Sequence, residues 1–266
     1  GRAEEETPCY AFSHDKVQQA AYATIPENER PRLHASLGRL LLEDSKEEVR
    51  DARLFEITAH LNHARSEIIS REQREELARL NLRAAVKARQ STAYEEARDY
   101  LEAGLALLPE DEGSFDVVYE LAFRLNLERA RTASLLNEYD EMENRASFLL
   151  KKAATDLDRI AVLEVQLYCY INQIQWEKVL DIGLRALQVL EERLPEHPHK
   201  GHVIANLARL ELRLRDYPPE ALRGLPEMVD PRKRAALRVL RAISSAAYFT
   251  RPNLYPLVVF RMVSLS

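Results

Sequence analysis

A short polar turn followed by an aromatic residue at the start of an amphipathic helix occurs three times in this chain. The aromatic residues are Tyr94, Tyr139 and Trp176. They are separated by 45 and 37 residues, spacings that bracket the repeat lengths of stacked helical-hairpin arrays. In such arrays each hairpin packs on its neighbours, and the stack exposes an extended surface to other proteins. The spacing therefore predicts a helical-repeat fold.

The composition favours helix nearly throughout the 266 residues. Glycine occurs only seven times, and Leu, Ala, Glu and Arg outnumber the β-branched residues, which is the preference of helices. No apolar run approaches the ~20 residues that cross a bilayer, and no secretory signal opens the chain. The two cysteines, Cys9 and Cys169, are far apart in unlike contexts, which fits a reducing compartment. We therefore expect a cytoplasmic protein with no membrane partner.

The pattern along the chain predicts three segments. Residues 1–30 differ from the rest of the chain and contain a short strand-like alternation at 10–12. Residues 31–71 are connecting helices, and residues 72–266 are degenerate tetratricopeptide-like hairpins, about five in number. Because the chain starts with glycine and stops within a helical pattern, we expect a fragment of a larger protein, truncated at the C-terminal end.

Small residues in the first regular unit support the repeat prediction. Counted from Ala78, the residues Ala85, Ala97, Gly104 and Pro109 fall at the small-residue and proline positions of the tetratricopeptide pattern. Small residues allow two antiparallel helices to cross closely, and the proline ends the second helix. Further units are expected near 117–154, 160–195, 202–226 and from 231 onward. The predicted fold is an all-α class, an α-solenoid of tetratricopeptide-like helical hairpins.

Several runs in the first third of the chain resemble one family of signalling proteins. They include residues 12–22 (FSHDKVQQAAY), 54–57 (LFEI), 60–62 (HLN), 80–82 (LNL) and 91–94 (STAY). Together they resemble the helical region after the nucleotide-binding core in large bacterial multidomain STAND/AAA-type signalling ATPases. In that family a serine/threonine-kinase domain often precedes the ATPase, and GAF and sensor histidine-kinase modules often follow. The resemblance implies that residues 1–30 are the tail of a winged-helix-like element, and that the remainder is the helical-repeat sensor or scaffold arm.

The sequence holds none of the catalytic motifs of that family. It has no G-x-x-x-x-G-K-[ST] loop for phosphates, and no H-R-D or D-F-G kinase set. We therefore expect no catalytic residues, no cofactor and no enzymatic activity in this chain, although the parent protein can be an ATPase or kinase.

Two histidine groups raise the alternative of a metal site. His60 and His63 lie three residues apart on a predicted helix and could chelate a metal if a third ligand arrived. The other group is His197, His199 and His202, in a connection between helices. No cysteine or carboxylate set completes either group, so we expect structural histidines and no metal.

The charge of the chain is uneven. Residues 201–266 carry an excess of Lys and Arg, whereas the whole chain has a formal net charge of −5 and a pI near 5.9. The basic run at 232–234, continued by Arg238 and Arg241, could contact phosphates, but no aromatic residues are interleaved with it. A solvated helix face, or a dock for the acidic remainder, is favoured, and no nucleic-acid partner is expected.

Six residues are predicted to line the inner, partner-binding face of the hairpins. They are Arg79, Arg89, Arg124, Arg131, Tyr168 and Asn172. Arginines pair carboxylates bidentately, so the expected partner is a protein or peptide, acidic ones included, or another domain of the same parent chain. Ordinary solvent-exposed charge is the alternative interpretation. The Lys/Asn set of carboxylate-clamp domains is absent, because Leu82 and Val86 occupy those positions.

The predicted function is that of a non-catalytic protein–protein interaction or sensor scaffold within a signalling ATPase or kinase. The alternative is a constitutive structural or oligomerisation arm with no ligand of its own. A hydrolase or metal enzyme built on a helical scaffold is a third hypothesis, supported only by the histidine groups.

Overall fold

The computed structural model of the chain describes residues 14–43, 47–109, 115, 117–195, 197–215 and 227–265. Throughout these residues the regular structure is helical, with no β-strand, so the all-α prediction is confirmed. The strand-like alternation at 10–12 and the end of the unit expected near 202–226 lie outside the described residues. Contacts between Cα atoms divide the chain into two compact units, Gly1–Ala84 and Ala85–Ser266. The three predicted segment boundaries remain predictions.

The first unit contains four helices and the start of a fifth among its described residues. They are α1 (Asp15–Ala23), α2 (Arg30–Glu43), α3 (Glu47–Ala52), α4 (Leu54–His63) and α5 (Arg71–Gln90), with a 3₁₀ turn at Arg65–Glu67; α5 continues into the second unit. The helical spacing of apolar residues over 48–63 is that of a single helix, but the chain forms two helices there. The break is at Arg53, whose backbone leaves helical geometry at φ −97° and ψ 13°.

Helices α2 and α4 pack closely because a glycine lies at their contact. A Cβ on Gly38 would lie 2.6 Å from Cδ2 of Leu61, so a side chain at this position would hold the two helices apart. Leu61 is buried together with Ile57, one turn earlier on α4. With Leu54 they form a buried stripe at helical spacing along one face of α4.

The second unit contains the end of α5 and eight further helices in its described residues. They are α6 (Tyr94–Leu105), α7 (Tyr119–Leu135), α8 (Tyr139–Lys152), α9 (Asp156–Asn172), α10 (Trp176–Val189), α11 (Lys200–Leu214), α12 (Pro231–Thr250) and α13 (Leu254–Leu265). From α6 to α10 each helix packs against the next one in the chain. This sequential packing is the pattern of a helical solenoid, as the repeat spacing predicted.

The three repeated junctions share one backbone conformation. Left-handed φ angles of 58° to 65° occur at Thr92, Asn137, Ile174 and Glu191, and the first three lie two residues before the aromatic residues Tyr94, Tyr139 and Trp176. At each of the four sites the next residue donates its backbone N–H to the carbonyl five residues earlier, at 2.8–2.9 Å. This bond is the mark of a Schellman helix ending. The junction in the sequence is therefore a repeated helix stop.

The hairpin of α12 and α13 packs directly on the hairpin of α9 and α10. Helix α12 contacts both α10 and α9, whereas the main described contact of α11 is with α13. In the described residues, α11 has no buried side chain. The described helix of the unit predicted over 202–226 is α11, and α12 rather than α11 stacks on α10. Helix α11 lacks the buried stripe that α9, α10 and α12 present.

An apolar core of the second unit joins α9, α10 and α12. Leu167, Leu180, Leu187, Leu240 and Ile243 are all fully buried in it. Gly183 lies at the crossing of α10 and α12, where an added Cβ would overlap Cγ2 of Ile243. Among the described residues, no helix combines the length and apolar character required to cross a bilayer.

Candidate partner-binding surface

Helix α7 carries two of the predicted arginines on one side. Arg124 and Arg131 are seven residues apart, so they lie two helical turns apart on nearly the same face. Arg124 is exposed, and no described residue forms an ion pair with it. Arg131 is only partly exposed. The two arginines share a face of α7, but the side chain of Arg124 is more exposed to solvent than that of Arg131.

A buried glutamate, Glu128, pairs with two of the predicted arginines, Arg89 and Arg131. The Glu128 side chain is only 12% exposed. It accepts hydrogen bonds from Nε of Arg89 at 3.0 Å and from Nη1 of Arg131 at 2.5 Å. The structure thus brings these two arginines together, but a partner carboxylate would have to compete with Glu128 for both.

Arg79 lies in the first unit and is exposed. Its Nη2 donates to Oε2 of Glu75 at 3.2 Å, and Arg71 donates to Oε1 of the same carboxylate at 2.9 Å. The hydrogen bond from Arg71, helped by that of Arg79, lowers the pKa of Glu75. Exposed pairs of this kind contribute little to stability because water and salt screen them, so Arg79 is held only weakly.

Tyr168 and Asn172 lie one turn apart on α9, and both are exposed. The Tyr168 ring is 47% exposed, a large fraction for an aromatic side chain in the middle of a helix. Between them, Tyr170 faces the neighbouring helix and donates its hydroxyl hydrogen to Oε1 of Glu143 at 2.5 Å. The exposed pair and Arg124 are therefore the predicted residues that remain accessible in the second unit.

Glu143 organises a polar contact between α8 and α9 that sequence reasoning missed. It accepts hydrogen bonds from Tyr170 and, at 2.8 Å, from Nε2 of Gln166. Burial, followed by the adjacent Glu143 carboxylate, raises the pKa of the Tyr170 hydroxyl. The ammonium of Lys178 lies 4.6 Å from the centroid of the same ring. No local motif marks this cluster, because its members come from three helices.

A second missed cluster surrounds Arg129, whose side chain is 7% exposed. Its guanidinium donates to Glu138 at 2.9 Å and to Glu102 at 3.4 Å, which links α7 to α6 and to the turn before α8. Arg98 of α6 also donates to Glu138, at 3.3 Å. Burial alone would raise the pKa of Glu138, but Arg129 and Arg98 outweigh it and lower that pKa. A buried arginine engaged with several carboxylates is structural rather than available to a partner.

The histidines at 60 and 63 do meet a third imidazole. His34 of α2 lies against both, with its Nδ1 2.8 Å from Nδ1 of His60 and its ring stacked on His63 at 4.9 Å between centroids. The Tyr22 hydroxyl lies 3.0 Å from Nε2 of His34. No group in the described part of the chain is arranged to hold a metal. The cluster is a packed, hydrogen-bonded contact.

The other histidine group caps a helix. Nδ1 of His199 accepts the backbone N–H of Gly201 at 3.1 Å, and Nδ1 of His202 accepts that of His199 at 3.2 Å. These bonds satisfy donors at the start of α11 that have no partner inside the helix. This geometry supports the interpretation as a helix connection.

The basic run at the start of α12 docks on the acidic residues of α9. Arg232 bonds to Asp156 at 3.0 Å, and Arg238 bonds to Glu164 at 2.8 Å. The sequence left open a solvated helix face or a docking contact with the acidic remainder of the chain. Arg232 and Arg238 form the docking contact. Arg241 is exposed and has no described partner, as on a solvated face.

Comparisons with known proteins give one distant similarity. No family model matches the chain, and no solved structure matches it. The chain is 22% identical over 201 residues to the hybrid signal transduction histidine kinase G of Dictyostelium discoideum. The alignment covers 67% of this chain but only 6% of that protein. The similarity links this helical chain to a signalling protein.

Proposed function

We propose that this chain is a non-catalytic interaction and sensor segment of a larger signalling protein, built from degenerate tetratricopeptide-like hairpins. The observation that carries the proposal is the run of sequentially packed helices from α6 to α10, together with the Schellman turn that ends α5, α7, α9 and α10. Arrays of this kind act as scaffolds for partners. The distant similarity to a histidine kinase supports a signalling context. From the sequence resemblance we further propose that the parent protein is a STAND-type signalling ATPase or kinase.

The proposed partner is a protein or peptide with acidic groups, or another domain of the parent chain. Its contact residues in the second unit are Arg124, Tyr168 and Asn172. Arg89 and Arg131 contribute only if a partner carboxylate displaces Glu128. Arg79, in the first unit, is a separate candidate contact. Binding would act by favouring one of two arrangements of the parent protein, through a difference in affinity for the two.

A binding measurement with a defined probe tests this surface. Fluorescence anisotropy would follow a labelled ten-residue peptide of alternating glutamate and tyrosine with the full chain. In the Arg124→Glu/Tyr168→Ala variant we expect affinity to fall about tenfold or more, because an attractive charge becomes repulsive and an aromatic contact is lost. Lys200→Glu is the matched control, since Lys200 is also exposed and begins α11, which carries no proposed contact residue; the affinity of this variant should stay within about twofold of the wild type.

The structure also supplies an argument for the alternative, a constitutive structural arm. Two of the four predicted arginines are already neutralised inside the unit by Glu128, as expected of residues that hold the fold. Equal binding of the peptide by variant and control would reject the proposed surface. Absence of saturable binding, together with concentration-dependent self-association in sedimentation, would instead support the structural or oligomerisation arm.

A further inference from the structure

A cavity of about 550 Å³ lies in the C-terminal part of the second unit. Its walls come from three places: the segment after α10, one side of α11, and α13. The volume falls within the range of small-molecule sites, about 300–1,000 Å³. The cavity contains none of the six residues of the proposed partner surface.

Positive charge dominates the cavity lining. Four arginines contribute, Arg193 before α11, Arg209 and Arg213 on α11, and Arg261 on α13, together with one carboxylate, Glu191. Arg209 and Arg213 are four residues apart, so their side chains lie on the same face of α11. Arginines from separate segments thus converge on one space, where their fields add.

The arginines differ in how far the fold already uses them. Arg261 is paired with Glu192, and Arg213 donates to the backbone carbonyl of Ser264 at 3.3 Å. Arg193 and Arg209 are exposed, and neither forms an ion pair with any described residue. Two guanidinium groups therefore line the cavity without an ion-pair partner among the described residues. Their guanidinium forks can take a tetrahedral oxyanion with two hydrogen bonds each.

Apolar side chains form the rest of the wall. Leu194 and Pro195 line it from the segment after α10, and Leu257 and Phe260 line it from α13. A charged ligand alone would leave this surface in contact with water. The combination fits a molecule that has an anionic group at one end and an apolar or aromatic body at the other.

We propose that this cavity binds a small organic phosphate, with Arg193 and Arg209 as its main phosphate contacts. Arg213 adds positive charge, and the apolar wall holds the body of the ligand. A phosphate is favoured over a carboxylate because a dianion can engage two separate guanidinium groups at once. The site goes beyond the proposed partner surface, and neither proposal depends on the other.

Isothermal titration calorimetry of the full chain with three probes tests the site. The probes are phenyl phosphate, inorganic phosphate and benzoate at matched ionic strength. We expect phenyl phosphate to bind at one site per chain, about tenfold tighter than benzoate and about threefold tighter than inorganic phosphate. Benzoate with affinity equal to that of phenyl phosphate would overturn the phosphate assignment, and absence of saturable binding by phenyl phosphate would overturn the site.

Matched variants locate the binding. Arg193→Gln/Arg209→Gln should weaken phenyl phosphate binding about tenfold or more. Arg241→Gln/Lys151→Gln removes the same charge from exposed positions outside the cavity and should change affinity less than about twofold. Equal losses in the two variants would show a general charge effect and overturn the proposal. Circular dichroism checks that the helices are retained; if the double variant loses them, the single variants Arg193→Gln and Arg209→Gln give the same test.

Discussion

Ile174 adopts a backbone conformation that its side chain disfavours. Its φ angle of 58° is left-handed, and its β-branched side chain remains 67% exposed. Left-handed geometry costs a residue other than glycine ~1–2 kcal/mol, and Asn tolerates it better than β-branched residues. Asn137 occupies the equivalent position of the preceding junction at φ 62°. The strain at Ile174 is therefore avoidable within the same turn.

The variant Ile174→Asn should raise the free energy of unfolding by ~1 kcal/mol, because it relieves left-handed strain without removing a buried side chain. Urea denaturation should show a higher midpoint with an unchanged slope. The control is Ile204→Asn, since Ile204 is 68% exposed but lies within α11; it should give no gain. A gain of the same size in both variants would attribute the effect to reduced surface hydrophobicity instead.

The packing of the histidine cluster changes the titration of His34. Burial, followed by the charges of His60 and His63, lowers the pKa of His34 below its ordinary value of 6.5. The folded state then binds fewer protons than the unfolded state below that pH. The free energy of unfolding should therefore fall as the pH drops from about 6.5 through the lowered pKa of the folded state.

Urea unfolding between about pH 7.5 and about pH 5.5 should show this loss in the wild type and a smaller one in His34→Gln. His197→Gln serves as the control, because His197 is exposed and no described residue contacts it through a hydrogen bond or ring. Parallel pH profiles for the wild type and His34→Gln would contradict the assignment to this cluster.

Helix contacts in this protein depend on glycines at the crossing points. Gly183 belongs to the unit predicted over 160–195, and it allows α10 to approach Ile243 of α12. Such a contact cannot be derived from local spacing, because the two residues lie in different hairpins far apart along the chain. The sequence marked the glycine as part of a repeat unit, but only the packed structure identifies what lies against it.

The variant Gly183→Ala should lower the free energy of unfolding by ~1–3 kcal/mol, the usual cost of overpacking. In an exposed helix the same change would be favourable by ~1 kcal/mol, so the sign of the effect reports the contact. Thermal and urea denaturation would measure it. In an Ile243→Ala background, which removes the clashing methyl, the Gly183→Ala change should cost much less; an unchanged cost would contradict the packing described here.

Across the whole of the second unit, ion pairs join the basic C-terminal residues to the more acidic residues before them. Arg232, Arg238, Arg251 and Arg261 pair with carboxylates 69 to 76 residues earlier. The uneven charge of the sequence is thus partly compensated inside the molecule. Each exposed pair should contribute at most ~1 kcal/mol, and screening by salt should reduce it.

We expect Arg238→Gln to lower the free energy of unfolding by up to ~1 kcal/mol in low salt, with the difference from the wild type shrinking at ~0.5 M NaCl. Arg241→Gln on the same helix should have little effect in either condition, because Arg241 has no described partner. Urea midpoints at the two salt concentrations measure both. A salt-independent loss in Arg238→Gln would assign the effect to packing of the arginine stem.

Local sequence determined the helices and the places where many of them stop. Helical spacing is a property of neighbouring positions, so it located the small residues Ala85, Ala97 and Gly104, which the structure buries at helix contacts. The repeated turn before Tyr94, Tyr139 and Trp176 is likewise encoded within a few residues.

The tertiary structure alone decided which arginines are available and which helices meet. Glu128 lies 39 residues from Arg89, and α12 rather than α11 packs on α10. The cavity lined by Arg193, Arg209 and Arg261 joins segments distant in the chain. Contacts of this kind depend on how helices pack in three dimensions, and no periodicity along the chain records them.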